Sequence, residues 1–460
     1  MSDAKIYIYH TNDIHSDLTY WPRLAKELQE KRAMRHQNGD DVFAFDIGDA
    51  VDRVHPLTEA TNGQAITELL NEGMYDGVTI GNNEGITNSK EELNQLYDQA
   101  KFPVILTNLF DDATGEVPNW VTPYKIFETH SEERIGVFGL TAPLYETYEA
   151  LGWKVTNPVK ETQRFFKQHG DKADFWILLS HLGIDDDRFL SKLFPIPLIL
   201  GAHTHHVLME GEQSASSTLA GAGQFGNWLG EVVIGRDHGG LRVESAQLLN
   251  AKNDLQPTPT EEEKVEAYEH HGHQLLRNET IADLPKDLPA SWSKQSALAD
   301  AVLEAIADFV DTEAAIFNAG LLMSDLSAGV VTADDLHQCL PHPMRVMRGT
   351  VKGEHLIRFG KEIQNIDAKM THRPVRGFGF RGEVFGKLCL KGMTLNQNRM
   401  LWNGKPVVPQ KEYAIASIDY FSFLPFFDIL NTYSTLEVIY PDFLRSVVGD
   451  YLAKTYPLNE

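Results

Sequence analysis

Seven side chains in the first half of this 460-residue sequence have the types and spacing of a metal centre. They are Asp13, His15, Asp49, Asn82, His181, His203 and His205. Carboxylate, amide oxygen and imidazole suit divalent ions such as Mn, Zn, Fe, Co or Mg, and the set contains no thiolate. Two such ions about 4 Å apart can activate a water and hold phosphoryl oxygens. The set therefore predicts a two-metal site for phosphoester hydrolysis, in which Asp49 bridges the ions.

Each of these motifs follows a run of residues that is typical of a β-strand. The predicted strands that precede them are Lys5–His10, Val42–Ile47, Gly77–Ile80, Phe175–Ser180 and Leu198–Gly201. Because ligands bind at the carboxyl ends of strands in α/β sheets, these strands would deliver the seven side chains to one edge. A single Asp-x-His or His-x-His motif is more often a turn or a hydrogen-bonded core group. The prediction of a metal site therefore depends on the fact that every motif follows a predicted strand.

Helical patterns alternate with the strands, which predicts an α/β layered domain. The predicted helices include Trp21–His36, Ser89–Ala100 and Pro158–Gly170. A polar stretch with two prolines follows residue 250, then a charged helix at Glu261–Asn278 and an extended segment at Ile281–Ser293. We therefore predict one domain at residues 1–255, a connector at 256–294 and a second domain at 295–460.

Composition excludes some partners. The net charge of -24 and the pI of about 5.1 argue against a nucleic-acid polymer, which needs clustered Lys and Arg. Cys339 and Cys389 lie in no metal-binding motif, so we expect reduced thiols. No apolar run approaches the roughly 20 residues that cross a membrane, and the N-terminus has no leader pattern. We expect a cytoplasmic protein without a membrane partner, and the oligomeric state stays open.

The motifs TNDIHS, DIGDAVD, GNNE, SHLG and GAHTHH resemble, in this order, those of the calcineurin-like metallophosphoesterases and of their 5′-nucleotidase family. The segments IFNAG and SAGVVTADDLHQCLP resemble the family's C-terminal domain. The resemblance implies an N-terminal four-layer sandwich of two mixed sheets flanked by helices, and a C-terminal α+β domain that binds the substrate. It also implies attack of a metal-bound hydroxide on the phosphorus of a nucleoside monophosphate or a related ester.

The same resemblance assigns the ligands. One ion would be held by Asp13, His15, Asp49 and His205, and the other by Asp49, Asn82, His181 and His203. The family has a His where this chain has Asn83, and an Asp that orients it where this chain has Gly85 and Ile86. Asn83 can donate a hydrogen bond but not a proton, and a general acid is worth roughly 10²–10⁴-fold. With Asn83 and Asp49 as the catalytic residues, we expect slow or restricted chemistry.

The second domain lacks the arginine that the family has after its Asn-x-Gly-Gly motif. Arginines that fit phosphate and aromatic rings that stack on a base could replace it. The candidate substrate contacts are Asn318, Arg373, Arg376, Phe380, Arg381 and Phe421. The alternatives are a Gly-rich strand pair with solvated arginines, and an apolar core around Phe421.

The leading hypothesis is a metal-dependent phosphoesterase that acts on a nucleotide or a similar small phosphate ester. A phosphodiesterase or pyrophosphatase for cyclic nucleotides, dinucleotides or nucleotide sugars is the second, because such leaving groups need less help from an acid. The third is a nucleotide-binding sensor with little turnover. Two further patterns have structural interpretations: Asp185–Asp187 as the cap of a helix, and His270, His271 and His273 as solvated histidines.

Overall fold

The computed structural model describes residues 4–237, 239–375, 377, 379–396, 399–424 and 427–458. The chain divides into two compact units, Met1–Gly272 and His273–Glu460. This division lies inside the predicted connector, and the predicted limits at 255 and 295 stay predictions. None of the described helices combines the length and the apolar character that a membrane crossing requires.

Unit 1 contains strands and helices in alternation. Its strands are β1 (Ile6–Thr11), β2 (Asp41–Asp46), β3 (Gly77–Val78), β4 (Val104–Ile105), β5 (Leu109–Asp111), β6 (Val121–Thr122), β7 (Tyr124–Glu128), β8 (Arg134–Thr141), β9 (Trp153–Val155), β10 (Phe175–His181), β11 (Leu198–Gly201), β12 (Glu212–Ser214), β13 (Ser217–Ala220), β14 (Trp228–Asp237) and β15 (Gly240–Asn250). Its helices are α1 (Trp21–Gln37), α2 (Pro56–Ala60), α3 (Gln64–Leu70), α4 (Asn82–Thr87), α5 (Lys90–Gln95), α6 (Tyr145–Ala150), α7 (Pro158–His169) and α8 (Ile184–Leu193); α9 (Glu261–Arg277) crosses the division.

Two mixed sheets form the centre of unit 1. The first has the order β15-β14-β1-β2-β3-β4-β6, and the second has the order β12-β13-β11-β10-β8-β7. Apolar side chains from both sheets, such as Ile8, Phe45, Ile177 and Leu200, share one buried cluster. Strands β1 to β4 are mutually parallel, as are β8, β10 and β11. The strands that precede the seven predicted ligands therefore belong to the parallel parts of the two sheets.

Helices cover these sheets, as the apolar patterns require. The buried residues of α1 are Trp21, Pro22, Leu24, Ala25 and Leu28. Leu190 of α8 and Phe165 of α7 pack with Leu178 on the second sheet. The fold prediction of mixed sheets with helices is confirmed.

Two local predictions in unit 1 are wrong. The helix that begins after Ser89 ends at Gln95 instead of Ala100, although Ser89 and Glu92 form the expected capping box. The acidic run at 185–187 lies inside the first turn of α8, and Gly183 occupies the N-cap position. Asp187 is buried and accepts a hydrogen bond from the Ser180 hydroxyl instead of capping the helix.

Unit 2 is an α+β structure. Its strands are β16 (Thr280–Leu284), β17 (Ala314–Asn318), β18 (Gly329–Thr332), β19 (Arg345–Lys352), β20 (Leu388–Lys391), β21 (Met393–Asn396), β22 (Arg399–Trp402), β23 (Lys405–Pro406), β24 (Glu412–Ile418) and β25 (Ser434–Phe443). Its helices are α10 (Ala297–Phe309), α11 (Ala333–Cys339), α12 (Gly353–Met370), α13 (Tyr420–Phe423), α14 (Asp428–Tyr433) and α15 (Leu444–Thr455). Apolar residues of α10, α12 and α15 share a core with the sheet β20-β17-β24-β19-β25.

The predicted extended segment at Ile281–Ser293 is a strand only in its first part, where β16 pairs with β18. His273 is not a solvated histidine. Its Nδ1 lies 2.5 Å from Oδ1 of Asp334, a buried carboxylate that also accepts a hydrogen bond from Arg277. A helical pattern alone could not predict this pairing, because Asp334 lies 61 residues further along the chain.

Candidate metal centre

The predicted ligands lie where the strands of unit 1 end. Asp13 and His15 follow β1, Asp49 follows β2, and Asn82 begins α4 after β3. His181 is the last residue of β10, and the segment after β11 carries His203 and His205. The second sheet thus contributes three histidines, and the first contributes the oxygen ligands and His15.

Five of these residues have left-handed backbone conformations. The φ angles of Asp13, His15, Asp49, His203 and His205 lie between 50° and 72°. Such conformations cost roughly 1–3 kcal/mol each for residues other than glycine and are concentrated at functional sites. Backbone hydrogen bonds hold two of them in place: Asp13 donates to the Gly48 carbonyl at 2.9 Å and His15 to the Asp49 carbonyl at 2.8 Å.

Six of the seven side chains form two groups that could each hold an ion. Asp13, His15 and His205 form the first group, and Asp49, His181 and His203 form the second. The ligand atoms of each group lie within 4.8 Å of one another.

Asp49 lies between the two groups. Its Oδ2 is 3.3 Å from Nε2 of His181 in its own group and 3.8 Å from Nε2 of His15 in the other. Oδ1 of Asp13 is likewise 3.9 Å from Nε2 of His181. The two groups are therefore neighbours, and a carboxylate lies at their junction.

The polar atoms of the centre fit bound cations. Among the described residues, the buried Asn82 Oδ1 and His181 Nε2 make no hydrogen bond. Nε2 atoms of His15 and His205 face each other at 3.3 Å and both face Asp13. A buried amide oxygen without a donor and imidazole nitrogens directed at carboxylates are a donor set that a divalent ion would satisfy.

The pKa values of the predicted ligands are strongly shifted by their charged neighbours and by burial. Burial alone would lower the pKa of His181, but the charge of Asp49 outweighs it and raises this pKa to about 10. Burial also opposes ionisation of Asp49, yet the charge of His181 holds the pKa of that carboxyl well below its usual range. Burial lowers the pKa of His203. The carboxylates thus favour positive charge at Nε2 of His181, and a metal ion that binds there would displace this proton.

Sequence reasoning missed the residue that shapes the Asp49 loop. Glu84 is buried, and its carboxylate accepts hydrogen bonds from the backbone N–H groups of Asp49, Ala50, Val51 and Gly81 at 2.8–3.2 Å. Burial and the charge of Asp49 raise the pKa of Glu84. The signal in the sequence was a Glu three residues after Gly81, the spacing of a capping box.

Gly81 permits a close approach at the same place. A Cβ atom there would lie 2.1 Å from Oδ1 of Asp49 and 2.5 Å from Cε1 of His181. A side chain at Gly81 would therefore displace two of the predicted ligands.

Asn83 contacts a residue of each ligand group, Asp49 and His15, and its backbone N–H and side-chain amide both bond to protein atoms. Its backbone N–H donates to Oδ1 of Asp49 at 2.7 Å. Its side-chain amide donates to the Val51 carbonyl at 2.9 Å and lies 3.1 Å from Nδ1 of His15. Oδ2 of Asp52, which sequence reasoning also missed, lies 3.6 Å from the same Nδ1. Asn83 and Asp52 thus flank the imidazole of His15 on the side opposite its ligand atom.

The predicted substrate contacts lie in unit 2. Asn318 is buried at the end of β17 and donates to the Phe385 carbonyl at 2.7 Å. Arg373 and Arg381 are exposed. Arg376 lies outside the described residues.

The two predicted aromatic contacts are buried. Phe380 stacks between His342 and Tyr420, with centroid distances of 5.5 and 5.7 Å. Phe421 has no exposed surface and stacks on Phe427 at 4.2 Å. This position fits the core alternative for Phe421 better than a ligand contact, whereas the side chains of Arg373 and Arg381 are exposed to solvent.

Comparisons with known proteins agree with this geometry. Residues 278–424 match the family model for the 5′-nucleotidase C-terminal domain. The chain is 33% identical to the uncharacterized metallophosphoesterase YunD of Bacillus subtilis (strain 168), over 98% of this chain and 99% of that one. The solved structure of the putative 5′-nucleotidase from Staphylococcus aureus, in complex with alpha-ketoglutarate, superposes with a TM-score of 0.67 at 18% identity. That match covers 98% of this chain and 97% of the other. The 5′-nucleotidase from Candida albicans SC5314 superposes with a TM-score of 0.58 at 15% identity, over 98% of each chain.

Proposed function

Since the chain belongs to the metallophosphoesterases, within their 5′-nucleotidase family, we propose that it hydrolyses the phosphate ester of a nucleotide or a related small molecule with two divalent ions. Membership of the family makes the chain a phosphoester hydrolase. The two ions and the class of ester are our proposal. The observation that carries it is the position of Asp49 between two adjacent groups of ligand atoms.

The proposed ligand sets follow from these groups. Asp13, His15, Asp49 and His205 would hold one ion, and Asp49, Asn82, His181 and His203 the other. The unpartnered Asn82 Oδ1 supports its place in the second set. Nitrogen and oxygen ligands do not select one metal, so Mn, Zn, Fe, Co and Mg all stay candidates. When bound, a pair of divalent ions supplies an activated water and neutralises charge on the phosphoryl oxygens.

The protein's own residues orient this chemistry. The Ile47 carbonyl accepts from Nδ1 of His181 at 2.7 Å, which leaves Nε2 of that ring for a cation. In our proposal Asp52 likewise accepts from Nδ1 of His15 and leaves Nε2 of that ring for a cation. Glu84 fixes the loop of Asp49. We also propose that Asn83 acts in catalysis through its bond to Asp49, not as an acid. An ester with a good leaving group therefore suits the site best.

The position of Asn83 also favours the second candidate function. A phosphodiesterase or pyrophosphatase that cleaves cyclic nucleotides, dinucleotides or nucleotide sugars releases groups that need little protonation. A sensor with little turnover is supported only by the absence of the acid. The intact set of seven ligands argues against it.

We further propose that unit 2, including Arg373 and Arg381, contacts the rest of the substrate, and that residues 1–255 and 295–460 are the functional domains. The buried, unpaired thiols Cys339 and Cys389 support a reducing compartment such as the cytoplasm.

The test combines metal analysis with phosphate release. The purified protein is stripped with a chelator, reloaded separately with each metal, and assayed on nucleoside monophosphates, cyclic nucleotides, dinucleotides and aryl phosphates. We expect two ions per chain and release from at least one ester class. In Asp49→Ala, activity should fall by more than about 100-fold, together with the metal content. Asp185→Ala, an exposed aspartate on α8, is the matched control. Wild-type protein that is loaded with metal and cleaves none of these esters would contradict the proposal.

A further inference from the structure

An aromatic ring lies beside the first ligand group and is only partly covered. Phe225 remains 36% exposed, a large fraction for a phenylalanine. Its ring centroid is 5.9 Å from that of His15, and the two rings meet edge to face at 63°. Because His15 belongs to the Asp13–His15–His205 group, this ring borders the place where that group would hold an ester.

The backbone of Phe225 is held in an unusual conformation. Its φ of 61° is in the left-handed region, which is a genuine outlier for a bulky residue. The Phe225 N–H donates to the carbonyl of Asp13 at 2.8 Å. The position of the ring is thus fixed by a bond to the residue that also supplies a predicted metal ligand.

The preceding turn is fixed in the same way. Asn12 accepts from the N–H of Ala222 at 2.9 Å and donates to the carbonyl of Gly223 and to Asp13, both at 2.8 Å. The Gly223 N–H in turn donates to the carbonyl of His206 at 3.1 Å. One network therefore connects Phe225 with both segments that supply the first ligand group. A ring that served only the core would need neither the left-handed backbone nor the exposure.

We propose that Phe225 determines substrate specificity: it is the surface on which the leaving group packs, and it selects phosphate monoesters of aromatic alcohols. This inference rests on the proposed function and narrows it to the related small esters, because the 5′-ester of a nucleoside monophosphate has an alkyl leaving group. Aromatic pairs prefer edge-to-face or offset contacts, which an exposed phenylalanine can offer to a planar leaving group. Val207 is 44% exposed and lies close to Gly223, two residues before Phe225.

The chemistry of the metal centre also favours esters of aromatic alcohols. In hydrolysis, water oxygen forms a bond to phosphorus and the bond from phosphorus to the ester oxygen breaks. Its electron pair stays on the ester oxygen, and the protons of the water pass to solvent and phosphate. An aromatic alcohol leaves as a stable phenolate, so it does not need the proton that Asn83 cannot give. An alkyl alcohol would need it.

The experiment compares phenyl phosphate with cyclohexyl phosphate in wild type, Phe225→Leu and Phe225→Ala. For each substrate, the ratio of wild-type to variant kcat/KM cancels the intrinsic reactivity of the ester. Phe225→Leu keeps an apolar surface without a ring. We expect it to lower kcat/KM about 5-fold more for phenyl than for cyclohexyl phosphate, mainly through KM. Phe225→Ala should lower kcat/KM for both phenyl and cyclohexyl phosphate, since it also removes the apolar surface. Phe189→Ala, an exposed phenylalanine on α8, is the control and should change neither.

Metal content and inhibition by inorganic phosphate should stay at wild-type values in both Phe225 variants, because no ligand is changed. Equal losses on the two esters in Phe225→Leu would overturn the selection of aromatic groups. Reduced metal content would show a structural role instead. Binding of phenylphosphonate and cyclohexylphosphonate, measured by calorimetry, tests the inference without turnover. If the metal-loaded wild type cleaves no ester of the panel given for the proposed function but prefers phenylphosphonate, and Phe225→Leu removes that preference, the proposed function fails and the selection of aromatic groups by Phe225 stands.

Discussion

The carboxylate of Glu84 accepts a hydrogen bond from the backbone N–H of Asp49 at 2.9 Å. The same Oε2 atom accepts from Gly81, while Oε1 accepts from Ala50 and Val51. One buried side chain thus holds the loop of the proposed bridging ligand to the start of α4. This relationship connects the stability of unit 1 with the geometry of the metal centre.

Glu84→Gln should lower both the stability of unit 1 and its affinity for metal ions. In either orientation of the amide, its NH₂ group would face two backbone N–H groups, which then lose their acceptor. We expect the free energy of unfolding to fall by roughly 2–4 kcal/mol. Metal affinity should fall with it, because Asp49 is no longer fixed. Urea denaturation and titration calorimetry with Mn measure the two effects, and Glu91→Gln, on the exposed face of α5, is the control. Unchanged values in Glu84→Gln would contradict the role.

Much of this centre could be predicted from the sequence, because parallel strands deliver their carboxyl ends to one edge. The two ligand groups contain Asp13, His15, Asp49, His181, His203 and His205. Five of them follow a strand, and His181 is the last residue of β10. The order of these motifs also resembles that of the metallophosphoesterases, and this resemblance predicted the family and the two-sheet fold.

The roles of Glu84 and Asp187 could not be predicted. Each is an acidic residue in the first turn of a helix, and acidic residues are common there on exposed surfaces. Their burial depends on packing against other segments. Glu84 meets a loop 35 residues away, and Asp187 meets β10. Local patterns carry no information on such contacts.

Asn83→His tests whether the missing acid limits the reaction. A general acid is worth roughly 10²–10⁴-fold, but Ile86 offers no carboxylate to orient the new imidazole. We therefore expect a gain of about 10-fold on alkyl phosphates in Asn83→His, and a larger one when Ile86→Asp is added. Aryl phosphates should gain little, because their leaving groups need no proton. Phosphate release at saturating metal measures the gains on alkyl and on aryl phosphates. Equal gains on the two ester classes would show that Asn83 limits another step.

Asp187 should make stability depend on pH. Burial raises the pKa of its carboxyl to about 8, above the value of 3.8 expected in the unfolded chain. The folded state therefore keeps a proton that the unfolded state releases. The contribution of Asp187 is complete below about pH 4 and is lost as pH rises through about 8, with a slope of up to roughly 1.4 kcal/mol per pH unit.

Asp187→Asn mimics the protonated carboxyl and should remove this component. Urea unfolding of unit 1, followed at pH 5 and pH 8 with a chelator present, gives the difference between wild type and variant. The exposed neighbour in Asp186→Asn is the control and should retain the wild-type slope. If Asp187→Asn loses as much stability as wild type over this range, Asp187 is not the group that titrates.

Asp52→Asn should lower the affinity of the first ligand group for its ion. A ligating imidazole donates its second ring N–H to an acceptor that raises its basicity, and Oδ2 of Asp52 lies 3.6 Å from Nδ1 of His15. The asparagine keeps the oxygen that accepts from Val54 at 3.0 Å but loses the negative charge. We expect about a 10-fold loss of affinity for one of two ions, measured by calorimetry of the chelator-treated protein with Zn or Mn. Asn83→Ala should change the affinity less, because the Asn83 atom that faces Nδ1 is an amide nitrogen, which cannot accept from the ring. The exposed Asp98→Asn should not change it. A larger effect in Asn83→Ala than in Asp52→Asn would reverse the assignment and make Asn83 the residue that orients His15.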